Sequence, residues 1–166
     1  MTSIEIRPID ATDADWIARV LVDNWLSTRV VSRGSVYNAD QLPGFVASFD
    51  SKRVGLVTYR TEGNQCEIVT LNSLEEGMGI GTALVDAVRS VAVANKIRRL
   101  WLITTNDNIE AFRFYQRRGF SLVTIHRNAL EESRKLKPEI PAIGSNGIPL
   151  RDELELEMLL QPMRPA

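Results

Sequence analysis

Cys66-Glu67-Ile68-Val69-Thr70-Leu71-Asn72-Ser73-Leu74-Glu75-Glu76-Gly77-Met78-Gly79-Ile80-Gly81-Thr82 is the stretch that decides the fold. Cys66 to Leu71 predicts a strand. After the glycines, Ile80, Ala83, Leu84, Ala87, Val88, Val91 and Ala92 recur at helical spacing. Glu76-Gly77-Met78-Gly79-Ile80-Gly81 is therefore a strand-to-helix turn. The first amides of such a helix lack intrahelical partners, and the helix dipole adds partial positive charge. Alternating glycines let an anion approach the main chain with no Cβ in the way. Thr82 adds a hydroxyl. By themselves, three clustered glycines fit a plain tight turn equally well.

Two other glycine motifs fit poorly. A phosphate-binding loop of the Walker type needs Gly-Lys-Ser/Thr at its end, whereas Gly81 is followed by Thr82-Ala83. A dinucleotide fingerprint needs a glycine where Leu84 stands and an acid where Arg98 and Arg99 stand.

Upstream, Ile4, Ile6 and Pro8-Ile9 predict an edge strand. Asp10 or Thr12 caps a helix on which Trp16, Ile17, Val20, Leu21, Asn24 and Trp25 recur. Ser27 to Leu42 has no regular pattern, with a turn at Arg33-Gly34-Ser35. Gly44 to Phe49 and Arg53 to Tyr59 predict two strands joined by Asp50-Ser51-Lys52, so three consecutive strands form an antiparallel meander. Downstream, Leu100-Trp101-Leu102-Ile103 is a short apolar strand of the kind buried on both faces. A helix from Asn108 to Arg117 ends at Gly119. Phe120 to His126 and Leu154 to Leu160 predict the last two strands. Between them lies a long insertion, Arg127 to Leu150, part helix (Ala129 to Lys137) and part Pro/Gly loop. The fold class is α/β (α+β): one domain over residues 1–166 with a single mixed, mostly antiparallel sheet flanked by helices.

Twenty basic and twenty-one acidic residues leave a net charge of -1, which offers no support for a nucleic-acid partner. No apolar run approaches the roughly 20 residues that span a bilayer, and the N-terminus lacks a signal-peptide pattern. One cysteine, Cys66, excludes an internal disulfide and suits the reducing cytoplasm. One cysteine and one histidine, His126, exclude the usual zinc site, so no metal is expected.

The second informative segment is Asn108-Ile109-Glu110-Ala111-Phe112-Arg113-Phe114-Tyr115-Gln116-Arg117-Arg118-Gly119-Phe120. Together with the glycine turn it strongly resembles the GNAT N-acetyltransferase superfamily. That family carries Gln/Arg-x-x-Gly-x-Gly/Ala before a central helix and, further on, Asn-x-x-Ala, an aromatic-Tyr pair and Gly-Phe. The element order β-α-β-β-β-α-β-α-β-β agrees along nearly the whole chain.

The resemblance implies acetyl-CoA as co-substrate and a primary amine as acceptor, a small molecule or a peptide. It places the pyrophosphate on the turn Glu76, Gly77, Met78, Gly79, Ile80, Gly81 and Thr82, and the pantetheine arm along the main chain at Leu71. Asn108, with Asn106 close by, meets the cofactor. Tyr115 is the acid for the leaving thiolate. A phenol of pKa ~10 donates to a thiolate of pKa ~8.5 only through close placement. Glu67 is the general-base candidate, with His126 as the other option. Trp25, Arg33, Tyr37 and His126 are the candidates for lining the acceptor site, and the insertion 127–150 shapes that site or a homodimer contact. One position departs from the pattern: Glu76 stands where the family has Gln or Arg, and its charge opposes pyrophosphate binding. That departure keeps open a non-catalytic CoA-binding sensor or partner module.

Overall fold

The computed structural model describes residues 3–161. The domain limits 1–166 run past this range at both ends, over residues 1–2 and 162–166, which lie outside the described residues. The chain begins with strand β1 (Glu5–Pro8) and enters helix α1 (Ala14–Trp25) through a single 3-10 turn. The Asp10 side chain accepts the Thr12 amide at 2.8 Å, and Asp13 accepts the Asp10 amide at 3.0 Å, a reciprocal cap. Asp13 does more than cap. Its buried carboxylate also takes two hydrogen bonds from Arg7, both 2.7 Å, and one from Arg53 Nε at 2.8 Å. The Arg7 bonds foremost hold this carboxyl well below the usual range.

After α1, the segment expected to be irregular is a small hairpin, β2 (Arg29–Ser32) and β3 (Ser35–Asn38). Arg33 (φ 49) and Gly34 (φ 75) both take positive φ, the two-residue turn whose twist matches paired strands. These strands are four residues each, too short for alternation to reveal them. The meander follows as β4 (Gly44–Phe49), β5 (Lys52–Glu62) and β6 (Gln65–Ser73). Next come α2 (Ile80–Ala94), β7 (Arg99–Thr105), α3 (Ile109–Arg117), β8 (Ser121–His126), α4 (Ala129–Leu136) and β9 (Glu153–Leu159).

Seven strands make one mixed sheet in the order β1-β4-β5-β6-β7-β9-β8. β9 lies between β7 and β8, so the last strand in sequence is interior and β8 is the exposed edge. Among the described residues, only β6 and β7 pair in parallel. Helices α2 and α3 cover one face through Ile80, Leu84, Val85, Val88, Phe112 and Tyr115. Each fully buried aliphatic there contributes roughly 1.5–3 kcal/mol. α1 and the hairpin cover the other face, with Ile17, Val20, Leu21 and Val30 packed on Val46, Leu56 and Val69.

Two irregularities in β6 open the sheet. Against β5, Thr70 pairs with Thr58 and Ile68 with Tyr59, which leaves Val69 as a bulged extra residue. Against β7, pairing covers only Gln65–Ile68 with Arg99–Leu102; beyond this the two strands part.

The insertion is pinned down. Lys137 Nζ donates to the carbonyls of Trp25 and, at 2.8 Å, Arg29. Arg134 donates to Pro141 O at 2.8 Å and to Leu150 O. The Asn106 side chain bonds Pro149 O, Arg151 N and Asp152 N at 2.8–3.0 Å.

The Asp13 junction yields a stability prediction. D13N leaves two arginines facing a neutral amide and should cost about 3 kcal/mol in urea unfolding at pH 7. Because the native carboxyl is held low, its contribution is complete above the ordinary carboxylate range and is lost as acid titrates it. The gap between variant and parent should therefore close at strongly acidic pH.

Candidate active site

A cleft of about 650 Å³ lies between the turn at Glu75–Thr82 and helix α3. The turn has the backbone conformation its glycines suggest. Gly77 (φ 74) and Gly79 (φ 72) take left-handed backbone, and Gly79 is the N-cap of α2. No side chain caps this end, in contrast to α3, where Asn108 Oδ1 accepts the Ala111 amide at 3.1 Å. The first amides of α2 are thus left for a bound anion. Gly81 serves a different purpose: a Cβ there would lie 3.0 Å from the Phe114 ring, so the close approach of α2 and α3 is tight for any larger residue.

The cleft is lined by Leu71, Glu76, Gly77, Gly79, Ile80, Gly81, Thr82, Asn108 and Tyr115. Met78 turns instead toward the core. Asn106 is outside the lining, since its side chain is spent on residues 149–152. Glu76 is exposed at the rim, while neighbouring Glu75 reaches Lys52 at 3.4 Å. The positive charge inside the cleft comes from Arg118. Its Nε donates to Thr82 Oγ1 at 2.7 Å, and its guanidinium lies 3.6 Å from the Phe114 ring centroid. Sequence reading missed this residue, although it sits in the same Arg117-Arg118-Gly119 segment that carried the family resemblance.

Two smaller cavities, about 70 and 100 Å³, continue the cleft into the gap between β6 and β7. They share Trp25, Ile68, Val69, Ile103, Thr104 and Asn108. Tyr115 lines the first, on the cleft side. It is 7% exposed, wedged edge-on between Phe114 and Phe120, and burial pushes its phenol up. Among the described residues its hydroxyl has no hydrogen-bond partner. Among those residues no fully buried side-chain oxygen or nitrogen lacks one, so the hydroxyl of this cavity-lining residue is not sealed off.

The second cavity ends on two carboxylates, Glu67 and Glu153. Glu67 accepts Arg60 Nε at 2.7 Å and the Ser32 hydroxyl at 2.6 Å, one bond on each oxygen. Its backbone neighbour Cys66 points the other way, into the core; burial first, and then the Glu67 charge, push that thiol up to about 12. Trp25 lines both small cavities and anchors its indole N–H on Asn72 Oδ1 at 3.0 Å. The other acceptor-site candidates lie around this cavity but not on its wall. Tyr37 stacks on the Arg60 guanidinium at 4.6 Å. His126 Nε2 is held by Glu155 Oε1 at 3.0 Å. The Arg33 side chain is exposed, and its backbone amide reaches Glu153 at 3.3 Å.

Comparison with known proteins agrees with this architecture. The profile of the acetyltransferase (GNAT) family matches residues 13–120. The uncharacterized protein YxbD of Bacillus subtilis (strain 168) is 42% identical over 159 residues, covering 95% of this chain and 100% of that protein. An IAA acetyltransferase from Bacillus cereus ATCC 14579 superposes with TM-score 0.72 at 22% identity, over 95% of this chain and 100% of that one. A GNAT family acetyltransferase from Elizabethkingia anophelis, solved with acetyl-CoA bound, gives TM-score 0.69 at 22% identity, over 95% and 99%. The chain belongs to the GNAT family of acetyltransferases, enzymes that take their acyl group from acetyl-CoA. Among the described residues, no helix is long and apolar enough to cross a membrane.

The site's electrostatics can be tested without any ligand. R60M leaves Glu67 buried with only Ser32 beside it and should cost about 3 kcal/mol at pH 7. Chemical denaturation of the two proteins measures this difference.

Proposed function

We propose that the protein transfers the acetyl group of acetyl-CoA directly to a primary amine, with Tyr115 protonating the departing thiolate. The observation that carries this reading is continuity: one passage runs from the uncapped start of α2, past Tyr115, into the gap between β6 and β7. Acetyl-CoA in the related Elizabethkingia anophelis structure supports the choice of donor.

On this reading the amides of Met78, Gly79, Ile80, Gly81 and Thr82 hold the pyrophosphate, with Glu76 and Gly77 contributing main chain only. Arg118 supplies the cation that position 76 lacks. The pantetheine arm lies in the gap, against the free edge of β6 at Leu71. Asn108 lines the cleft and both small cavities, and so flanks the thioester. The acceptor enters from the side of Trp25 and the hairpin. The buried phenol of Tyr115 stays protonated across neutral pH. The same dry surroundings disfavour a free thiolate, which raises the thiolate's demand for that proton.

Calorimetry with acetyl-CoA is the first test, and absence of heat at millimolar cofactor would overturn the reading. R118A should weaken acetyl-CoA binding by about tenfold, the loss of a charge-assisted contact. E76Q should tighten it by about two- to fivefold at low salt. Y115F should lower kcat by about a hundredfold while the acetyl-CoA Kd stays within about twofold. Unchanged thiol release in Y115F, or no release with any amine despite cofactor binding, would favour a non-catalytic CoA-binding module.

A further inference from the structure

If acetyl transfer is the reaction, the cavity beyond Tyr115 holds the acceptor. Its wall contains a carboxyl group that neither donor binding nor thiolate protonation uses. Glu153, the first residue of β9, is 2% exposed and lines the same 100 Å³ cavity as Glu67, Ser32, Thr105 and Asn108. Its hydrogen bonds are long: 3.3 Å from the Arg33 backbone amide and 3.4 Å from the Ser133 hydroxyl. Among the described residues, no cation pairs with it.

Glu67 is the opposite case. Both its oxygens already hold short bonds, one of them to a guanidinium. Of two acids on one cavity, Glu153 is the one left for a ligand. The charged and titratable groups around it are Arg33 of the hairpin, Glu67 of β6, and His126, its cross-strand neighbour on β8. Helix α4 presents the neutral Ser133. Burial pushes the Glu153 carboxyl up, with the Arg33 amide and charge opposing. A buried acid without a counter-ion either stays neutral or waits for a cation. Apart from Thr104 the remaining walls, Trp25, Val30, Val31, Ile68, Val69 and Ile103, are apolar, and 100 Å³ is the scale of a few water molecules.

We propose that Glu153 receives the acceptor as an ammonium ion and takes its first proton, and that the acceptor is a short aliphatic primary amine. The ammonium N–H breaks and its proton passes to the Glu153 carboxylate, which later returns it to solvent. The freed lone pair forms the N–C bond at the acetyl carbon. As the C–S bond breaks, Tyr115 gives its phenolic proton to the CoA thiolate, and the second proton lost by the nitrogen returns to the Tyr115 phenolate. This assignment rests on the acetyltransferase reading and adds the residue and the substrate class.

The test uses the full chain, acetyl-CoA, n-butylamine and E153Q. The native enzyme should acetylate n-butylamine, and its complex with CoA should bind butylammonium in calorimetry. E153Q should bind acetyl-CoA unchanged but lose butylammonium binding. Its kcat/KM at pH 7 should fall by about a hundredfold. The loss should shrink to less than about tenfold near pH 11, above the alkylammonium pKa of about 10.4, where most of the amine arrives already deprotonated. A packing role would not give that narrowing. E153Q should also melt higher than the native protein at pH 8 and equally at pH 4, because removing a buried acid of raised pKa helps only where that acid is charged. This gain also shows that the variant is folded. If acetyl-CoA binds yet butylammonium neither binds nor reacts, or if E153Q keeps its kcat/KM within about threefold at pH 7, the assignment falls and the acetyltransferase reading stands. If acetyl-CoA itself does not bind, the reading beneath it falls.

Discussion

Strands β6 and β7 share four residue pairs and then separate, and the rest of the site depends on that parting. Beyond Ile68 and Leu102 each strand keeps its outer partner, β5 or β9, and presents an unpaired inner edge. Free peptide edges in a core are costly unless something bonds to them. Here they border a chain of cavities that begins at an uncapped helix end. The gap is kept open from both sides. The bulge at Val69 turns β6 away, and Ile109–Arg117 sits over the mouth with Tyr115 and Asn108 facing inward.

Charge is distributed along this passage in a consistent order. The mouth offers bare amides and the Arg118 guanidinium, with Glu75, Glu76 and Glu110 also in its lining. The middle is apolar and aromatic. The far end is acidic, and both its carboxylates are tied to one hairpin turn: Ser32 holds Glu67 and the Arg33 amide holds Glu153. An anionic donor and a cationic acceptor would therefore enter from opposite ends and meet near Tyr115. The insertion contributes from behind. Lys137 clamps α4 to the hairpin strand, and Ser133 reaches Glu153, so this segment backs the cavity end that holds Glu67 and Glu153.

Much of this was legible in the chain. The glycines at 77, 79 and 81, the helical stripe after them and the Asn108–Phe120 segment are local patterns, with local reasons for their residues. The meander and the apolar strand at Leu100–Ile103 show the same directness. The hairpin at 29–38 did not, because its strands are four residues long and gain their stability from packing on α1 and the sheet. Asn106 illustrates a subtler limit. Its place beside Asn108 suggested a cofactor contact, whereas its three hydrogen bonds go to residues more than forty positions away.

The sequence alone determined the fold class, the turn that begins α2 and the family, since these rest on spacing along one chain. Only the tertiary structure decided which charges matter. Nothing in the sequence sets Glu67 and Glu153 apart by charge, yet one is paired with Arg60 and the other has no cation among the described residues. Arg118 reads as the second of two arginines at a helix end until Thr82 and Phe114 are seen to hold it in the cleft. The strand order, with β9 slipped between β7 and β8, brings Glu153 to the cavity. Such pairings depend on through-space distances between residues far apart in sequence, and periodicity does not encode those distances.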